Sequence, residues 1–144
     1  MANSSESNTI EHYQPRLDPR PICNPRSMVL SWEQVVVDAH DPRALGIWWA
    51  EALDWVVTLD EDGDFEIRPA AAITPGLLFV PVTDERVAKN RLHLDFRPDD
   101  QEAEVLRFLN LGAARADIGQ GDVSWVVLLD PEGNEFCILN SSVS

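Results

Sequence analysis

The chain has 144 residues and a formal net charge of −14, from 25 acidic against 11 basic side chains. That length allows one domain with its own core, and so few cations exclude nucleic-acid binding, which needs clustered Lys and Arg on phosphates. No apolar run approaches the roughly 20 residues of a bilayer span, which excludes a membrane partner, and the first residues lack the basic-then-apolar pattern of a secretory signal, so a cytoplasmic location is expected.

Residues 1–27 carry Pro15, Pro19, Pro21 and Pro25 and no apolar periodicity, the composition of a flexible N-terminal extension. Its acids (Glu6, Glu11, Asp18) and its arginines (Arg16, Arg20, Arg26) cancel, so the net charge belongs to residues 28–144. The valine-rich stretch 31–38 is a strand candidate. Asp41 and Pro42 then start a helix as N-cap and first helical residue, with Leu45, Trp48, Trp49, Ala52 and Leu53 at helical spacing. Residues 55–60 and 64–69 read as strands joined by a hairpin turn at EDGD, and 76–82 as a fourth strand that Pro81 places at an edge or an end.

The order then starts again. Residues 91–97 form a strand in which Leu92, Leu94 and Phe96 alternate with Arg91, His93 and Asp95. A helix over 101–111 ends at Gly112, and strands over 113–119, 122–130 and 135–140 follow, the last two joined by a turn at PEGN. An offset of 58–59 residues carries Gln34 onto His93, Trp49 onto Phe108 and Leu53 onto Leu111. Each half is β-α-β-β-β, and internal repetition is a strong topological signal.

The two cysteines, Cys23 and Cys137, make neither a disulfide framework nor a zinc pattern, which fits a reducing compartment. Cys137 reads as a small buried apolar residue rather than a nucleophile. His40 lies beside a helix cap and reads as a surface residue. Of Trp48 and Trp49, one ring is expected on the sheet and the other at an interface. GQG at 119–121 lacks the strand-then-helix setting of a phosphate loop and reads as a turn.

Tandem βαβββ units with NRLHLDF at 90–96, DIGQGD at 117–122, LDPEGNEFCIL at 129–139 and HDPRALGIWWAEALDW at 40–55 resemble the vicinal oxygen chelate superfamily, and within it the glyoxalase-like domains. The resemblance covers about residues 30–140. It implies an α+β fold of two modules, about 30–83 and 90–140, forming a cup-shaped mixed sheet with helices on the outside, in a domain spanning 28–144. It also implies ligands on the inner face of the cup, from the first and last strands of each unit, at Gln34, His93 and Glu135. The last strand of the first unit offers only Leu77, Leu78, Phe79 and Val80, so the fourth ligand of a glyoxalase site is missing.

Two functions follow from the resemblance. A divalent metal (Fe, Ni, Zn or Mn) on Gln34, His93 and Glu135 would polarise oxygens of a small oxygen-rich substrate for lyase-like or dioxygenase-like chemistry, with Asp95 or Glu135 as the base. The alternative is a metal-free protein that sequesters a compound, as bleomycin-resistance relatives do. The absent fourth ligand and the acidity both favour this metal-free reading, in which a cationic guest would be held among acids and tryptophans by charge and by cation–π contacts. Relatives of this kind pair their cups, so a homodimer is expected.

Overall fold

In the computed structural model, which describes residues 30–117 and 119–141, each half of the sequence folds as one βαβββ unit. The extension read at 1–27, together with Cys23, lies outside the described residues. The first unit runs β1 (Gln34–Ala39), α1 (Pro42–Leu53), β2 (Val56–Glu61), β3 (Asp64–Arg68) and β4 (Gly76–Pro81). The second runs β5 (Leu94–Phe96), α2 (Gln101–Asn110), β6 (Ala114–Arg115), β7 (Val126–Leu129) and β8 (Glu135–Ile138). The sheets have the orders β1-β4-β3-β2 and β5-β8-β7-β6, so both units share one topology, with the first strand parallel to the last and the other pairs antiparallel. This is the mixed-sheet α+β architecture expected from the sequence.

Local chemistry explains the boundaries. Asp41 accepts from the Ala44 N–H at 2.9 Å, and Asp100 from the Ala103 N–H at 3.0 Å, each satisfying a donor that the first turn of a helix leaves unpaired. Asp62 and Gly63 both take positive φ, 54° and 90°, as a two-residue hairpin between twisted strands requires. Three strands, β5, β6 and β7, are less than half as long as expected. β5 begins only where Leu94 pairs with Phe136, which leaves Leu92 outside the ladder and 86% exposed rather than packed inward. β6 and β7 cover only Ala114–Arg115 and Val126–Leu129 of the strands read over 113–119 and 122–130, and Gly119 and Gly121 between them adopt φ of 79° and 68°.

Val35 and Val37 of β1, Phe65 and Ile67 of β3, Leu77 and Phe79 of β4, and Phe136 and Ile138 of β8 all turn toward the helices and share one core with Leu45, Trp49 and Phe108. The two units meet through aromatic rings. Trp49 lies 5.0 Å from Phe136 and 5.8 Å from Phe96, and Trp48 lies 5.0 Å from Trp49 in a T-shaped pair, the geometry that ring quadrupoles favour. Trp48 donates to the Leu111 carbonyl at 2.8 Å and Trp49 to Asp130 at 3.1 Å. Both rings are therefore spent on holding the units together. His40 is exposed, as expected, and its backbone N–H, with that of Asp41, donates to the Glu132 carboxylate at 2.6 and 3.1 Å.

Among the described residues no helix is long and apolar enough to cross a membrane. The core is closely packed at Gly46, where a Cβ would lie 2.1 Å from Phe65 Cδ1. The buried Phe65 ring cannot yield that distance, so overpacking outweighs the roughly 1 kcal/mol that alanine gains in a helix. Gly46→Ala is expected to lose about 1–2 kcal/mol net, read from the urea midpoint at unchanged slope.

Candidate functional site

Strand alternation fixes what the helix-free faces carry. With Val35 and Val37 turned inward, Gln34 and Val36 face the other way; with Phe65 and Ile67 inward, Glu66 and Arg68 do; with Leu77 and Phe79 inward, Leu78 and Val80 do. In the second unit the same rule sets Asp95, Cys137 and Glu135 on the helix-free face, and Asp95 and Cys137 stand directly opposite each other in the parallel ladder. His93 precedes β5 by one residue, so the same register carried one step further puts it opposite Glu135.

Glu135 is buried, with 6% of its surface exposed. Arg86 donates to its Oε1 at 2.5 Å, and the Asn90 N–H to its Oε2 at 3.3 Å. Burial pushes this carboxyl up, but the hydrogen bonds from Arg86 and the backbone outweigh it and hold the group below the usual carboxylate range. Asn90 is itself fixed, donating from Nδ2 to Asn134 Oδ1 at 2.9 Å. Gln34 is half-buried opposite Gly76, and its side chain has no hydrogen-bond partner among the described residues.

His93 Nε2 lies 3.1 Å from Asp95 Oδ1. One ligand atom each from His93, Asp95 and Cys137 lies within 4.8 Å of the others. Burial, and then the neighbouring Asp95 carboxylate, push the Cys137 thiol up to about 11. The structure therefore joins His93 to Asp95 and Cys137, while Glu135 is committed to Arg86 and Asn90.

The repeat places Gly76 where the second unit carries Glu135. The offset that carries Gln34 onto His93 also carries Gly76 onto Glu135, and the pairs Gln34–Gly76 and Val36–Leu78 of the first unit match His93–Glu135 and Asp95–Cys137 of the second. Gly76 has no side chain to offer, and Arg68 lies over it: a Cβ there would sit 3.0 Å from Arg68 Cγ and 2.9 Å from the Ile67 carbonyl. Arg68 donates to Glu66 at 2.7 Å and to Glu33 at 2.6 Å. Glu66 also accepts from Thr58 Oγ1 at 2.6 Å, and its hydrogen bond from Arg68 holds the carboxyl low despite burial. One arginine, Arg68, thus covers Gly76, and another, Arg86, neutralises its counterpart Glu135. As the side chains stand, the donor set Gln34, His93 and Glu135 does not fit a resident metal, because its only carboxylate already has a guanidinium as partner.

Sequence reasoning missed Arg86, Asn90, Arg68 and Glu66. A signal for two of them was present: in DFEIR the apolar Phe65 and Ile67 force Glu66 and Arg68 onto one face, two residues apart. Arg86 and Asn90 belong to an irregular connection that carries no periodicity.

A family model described as a glyoxalase-like domain matches residues 34–139. Among solved structures, a glyoxalase/bleomycin resistance protein/dioxygenase family enzyme from Burkholderia phytofirmans superimposes with a TM-score of 0.62 at 18% identity, over 78% of this chain and 100% of that one. TnmS3, an antibiotic binding protein from Streptomyces sp. CB03234, gives 0.56 at 18% identity over 81% and 99%. The fosfomycin resistance protein FosX from Mesorhizobium loti gives 0.57 at 13% over 81% and 94%. At these identities the likeness is one of fold. No curated protein matches the sequence.

Proposed function

We propose that this chain, which belongs to the glyoxalase-like domain family, is a small-molecule-binding protein that works with no metal held on Gln34, His93 and Glu135. The carrying observation is the 2.5 Å pair between Arg86 and the buried Glu135: a metal at that carboxylate would have to displace a charge-assisted hydrogen bond and leave a cation beside itself. The helix-free face still offers recognition chemistry. Asp95 and His93 are exposed and polar, and Trp32 and Trp125, 66% and 39% exposed, offer aromatic faces. A guest with a cationic group suits the net charge of −14, through long-range attraction and cation–π contact. The antibiotic-binding relative of the same fold supports a sequestering role.

Tryptophan fluorescence against a panel of cationic aromatic compounds, in the presence of EDTA, tests this reading. Saturable quenching that weakens at least tenfold in Asp95→Asn and at high salt is the expected result. Binding or turnover that EDTA abolishes, that divalent metal restores and that Glu135→Gln removes would establish the metal-dependent enzyme instead, with Asp95 or Glu135 as its base. We also read the chain as a cytoplasmic homodimer, since Cys137 is a free buried thiol and Trp32 and Val36 expose apolar surface on β1 and its approach; light scattering of the full chain reads the dimer directly.

A further inference from the structure

We propose that His93, Asp95 and Cys137 form a second kind of site on this face, for a thiophilic divalent cation of zinc type. The inference goes beyond the small-molecule reading and does not depend on it. It rests on geometry that the ladder imposes. Asp95 and Cys137 are cross-strand partners in the parallel β5–β8 pair, so their side chains leave the sheet on the same face. His93 comes from two residues earlier on the same side, its Nε2 3.1 Å from Asp95 Oδ1. The three donor atoms lie within 4.8 Å of one another. Tetrahedral zinc with bonds of 2.0–2.3 Å holds its ligand atoms about 3.3–3.8 Å apart. His93 and Asp95 have 39% and 47% of their side-chain surface exposed, so each can close that gap by a small rotation, while the buried Cys137 stays fixed.

The donor types select the ion. One imidazole nitrogen, one thiolate sulfur and one carboxylate oxygen suit zinc and its neighbours, and not calcium or magnesium, which take oxygen ligands. Thiolate and carboxylate together balance the two positive charges of the ion. On binding, the Cys137 S–H bond breaks, its proton leaves to solvent and the sulfur lone pair becomes the metal bond. Three protein ligands leave a fourth place open to water or a guest.

The cluster also stands apart from the position already closed by Arg86. Glu135 lies outside it, and the equivalent residues of the first unit, Gln34, Val36 and Leu78, offer no thiolate, carboxylate or imidazole. Only the second unit carries the site.

Cobalt titration of the untagged full chain, stripped with EDTA and transferred to chelator-free buffer, tests it. One equivalent of Co²⁺ is expected to produce a thiolate-to-cobalt charge-transfer band and tetrahedral d–d absorption, with Zn²⁺ displacing both. Cys137→Ser should abolish the charge-transfer band and Cys23→Ser should keep it. His93→Ala and Asp95→Asn, at exposed positions that leave the core intact, should each weaken binding at least tenfold. Gln34→Ala and Glu135→Gln should change affinity less than twofold. Three results would each overturn the site: no band at stoichiometric cobalt, a band that survives Cys137→Ser, or affinity that follows Gln34 and Glu135 instead. Because guest binding is measured with EDTA present, either proposal can fail without the other.

Discussion

Arg86→Met is expected to cost about 2 kcal/mol at neutral pH, and to open the neighbouring carboxylate to metal. Removing one partner of a fully buried ion pair costs about 3–5 kcal/mol, because the remaining charge stays desolvated. Arg86 is 40% exposed on its side of the pair, so solvent screening brings the figure down. The pH dependence carries the sign. In the native chain the folded-state pKa of Glu135 is lowered, so its contribution is fully present above the unfolded value of about 4.3 and is lost as pH falls through the folded value. In the variant burial, which raises the folded value, is opposed only by the backbone N–H groups of Glu135 itself and of Asn90. Its penalty is then full at neutral pH and relieved once the carboxyl is protonated. Urea midpoints of the two proteins should therefore differ most near pH 7 and converge as pH falls from about 6 to about 3. The same variant should give a thermal shift with Mn²⁺ that the parent chain lacks, and Arg86→Met combined with Glu135→Gln should lose it. Mn²⁺ favours oxygen and nitrogen donors, which keeps this readout clear of the thiol cluster. Equal stability differences at pH 7 and pH 4 would show that the arginine acts through packing alone.

The sequence made the fold legible because its signals were periodic. Alternation in 91–97, helical spacing from Leu45 to Leu53, and a 59-residue repeat all survive without any knowledge of contacts, and the N-caps Asp41 and Asp100 fall on that repeat. The faces were also legible: Gln34, His93 and Glu135 all lie opposite the helix-packed residues of their strands. What periodicity does not carry is the direction in which a long side chain reaches. Arg68 crosses Gly76 and Arg86 comes from an irregular connection, and each closes a position that strand parity leaves open. The exposure of Leu92 has the same origin: an alternating stretch marks strand propensity, but the ladder extends only as far as its partner does, and β8 begins at Glu135. Cys137 was read as a small apolar filler, and its burial agrees. Its position opposite Asp95 depends on a strand register that no local pattern specifies.

Asp130→Ala is expected to be the most destabilising change, at about 3–4 kcal/mol, since it leaves buried donors unpaired. The PEGN turn looks like a solvent loop in the sequence, yet the residue before it is 5% exposed. Asp130 Oδ1 accepts from the backbone N–H groups of Glu132 and Asn134, each at 2.9 Å. Its Oδ2 accepts from Asn134 Nδ2 at 2.9 Å and from Trp49 Nε1 at 3.1 Å. One carboxylate thus shapes the turn of the second unit and fastens the helix of the first. The turn in turn presents Glu132 to the His40 and Asp41 N–H groups, so losing the carboxylate loosens a second tie between units. A loss of this size corresponds to roughly 10–20 °C in the melting temperature of a domain this large. Asp130→Asn keeps one acceptor oxygen but turns an NH₂ toward existing donors, and should recover no more than half of the loss. The shared part can be isolated with Trp49→Phe, which deletes the indole donor and keeps an aromatic ring among Phe96, Phe108 and Phe136. In a double-mutant cycle, Asp130→Ala and Trp49→Phe should be non-additive by about 1 kcal/mol or more. Additivity would mean that the turn and the aromatic seam are stabilised separately.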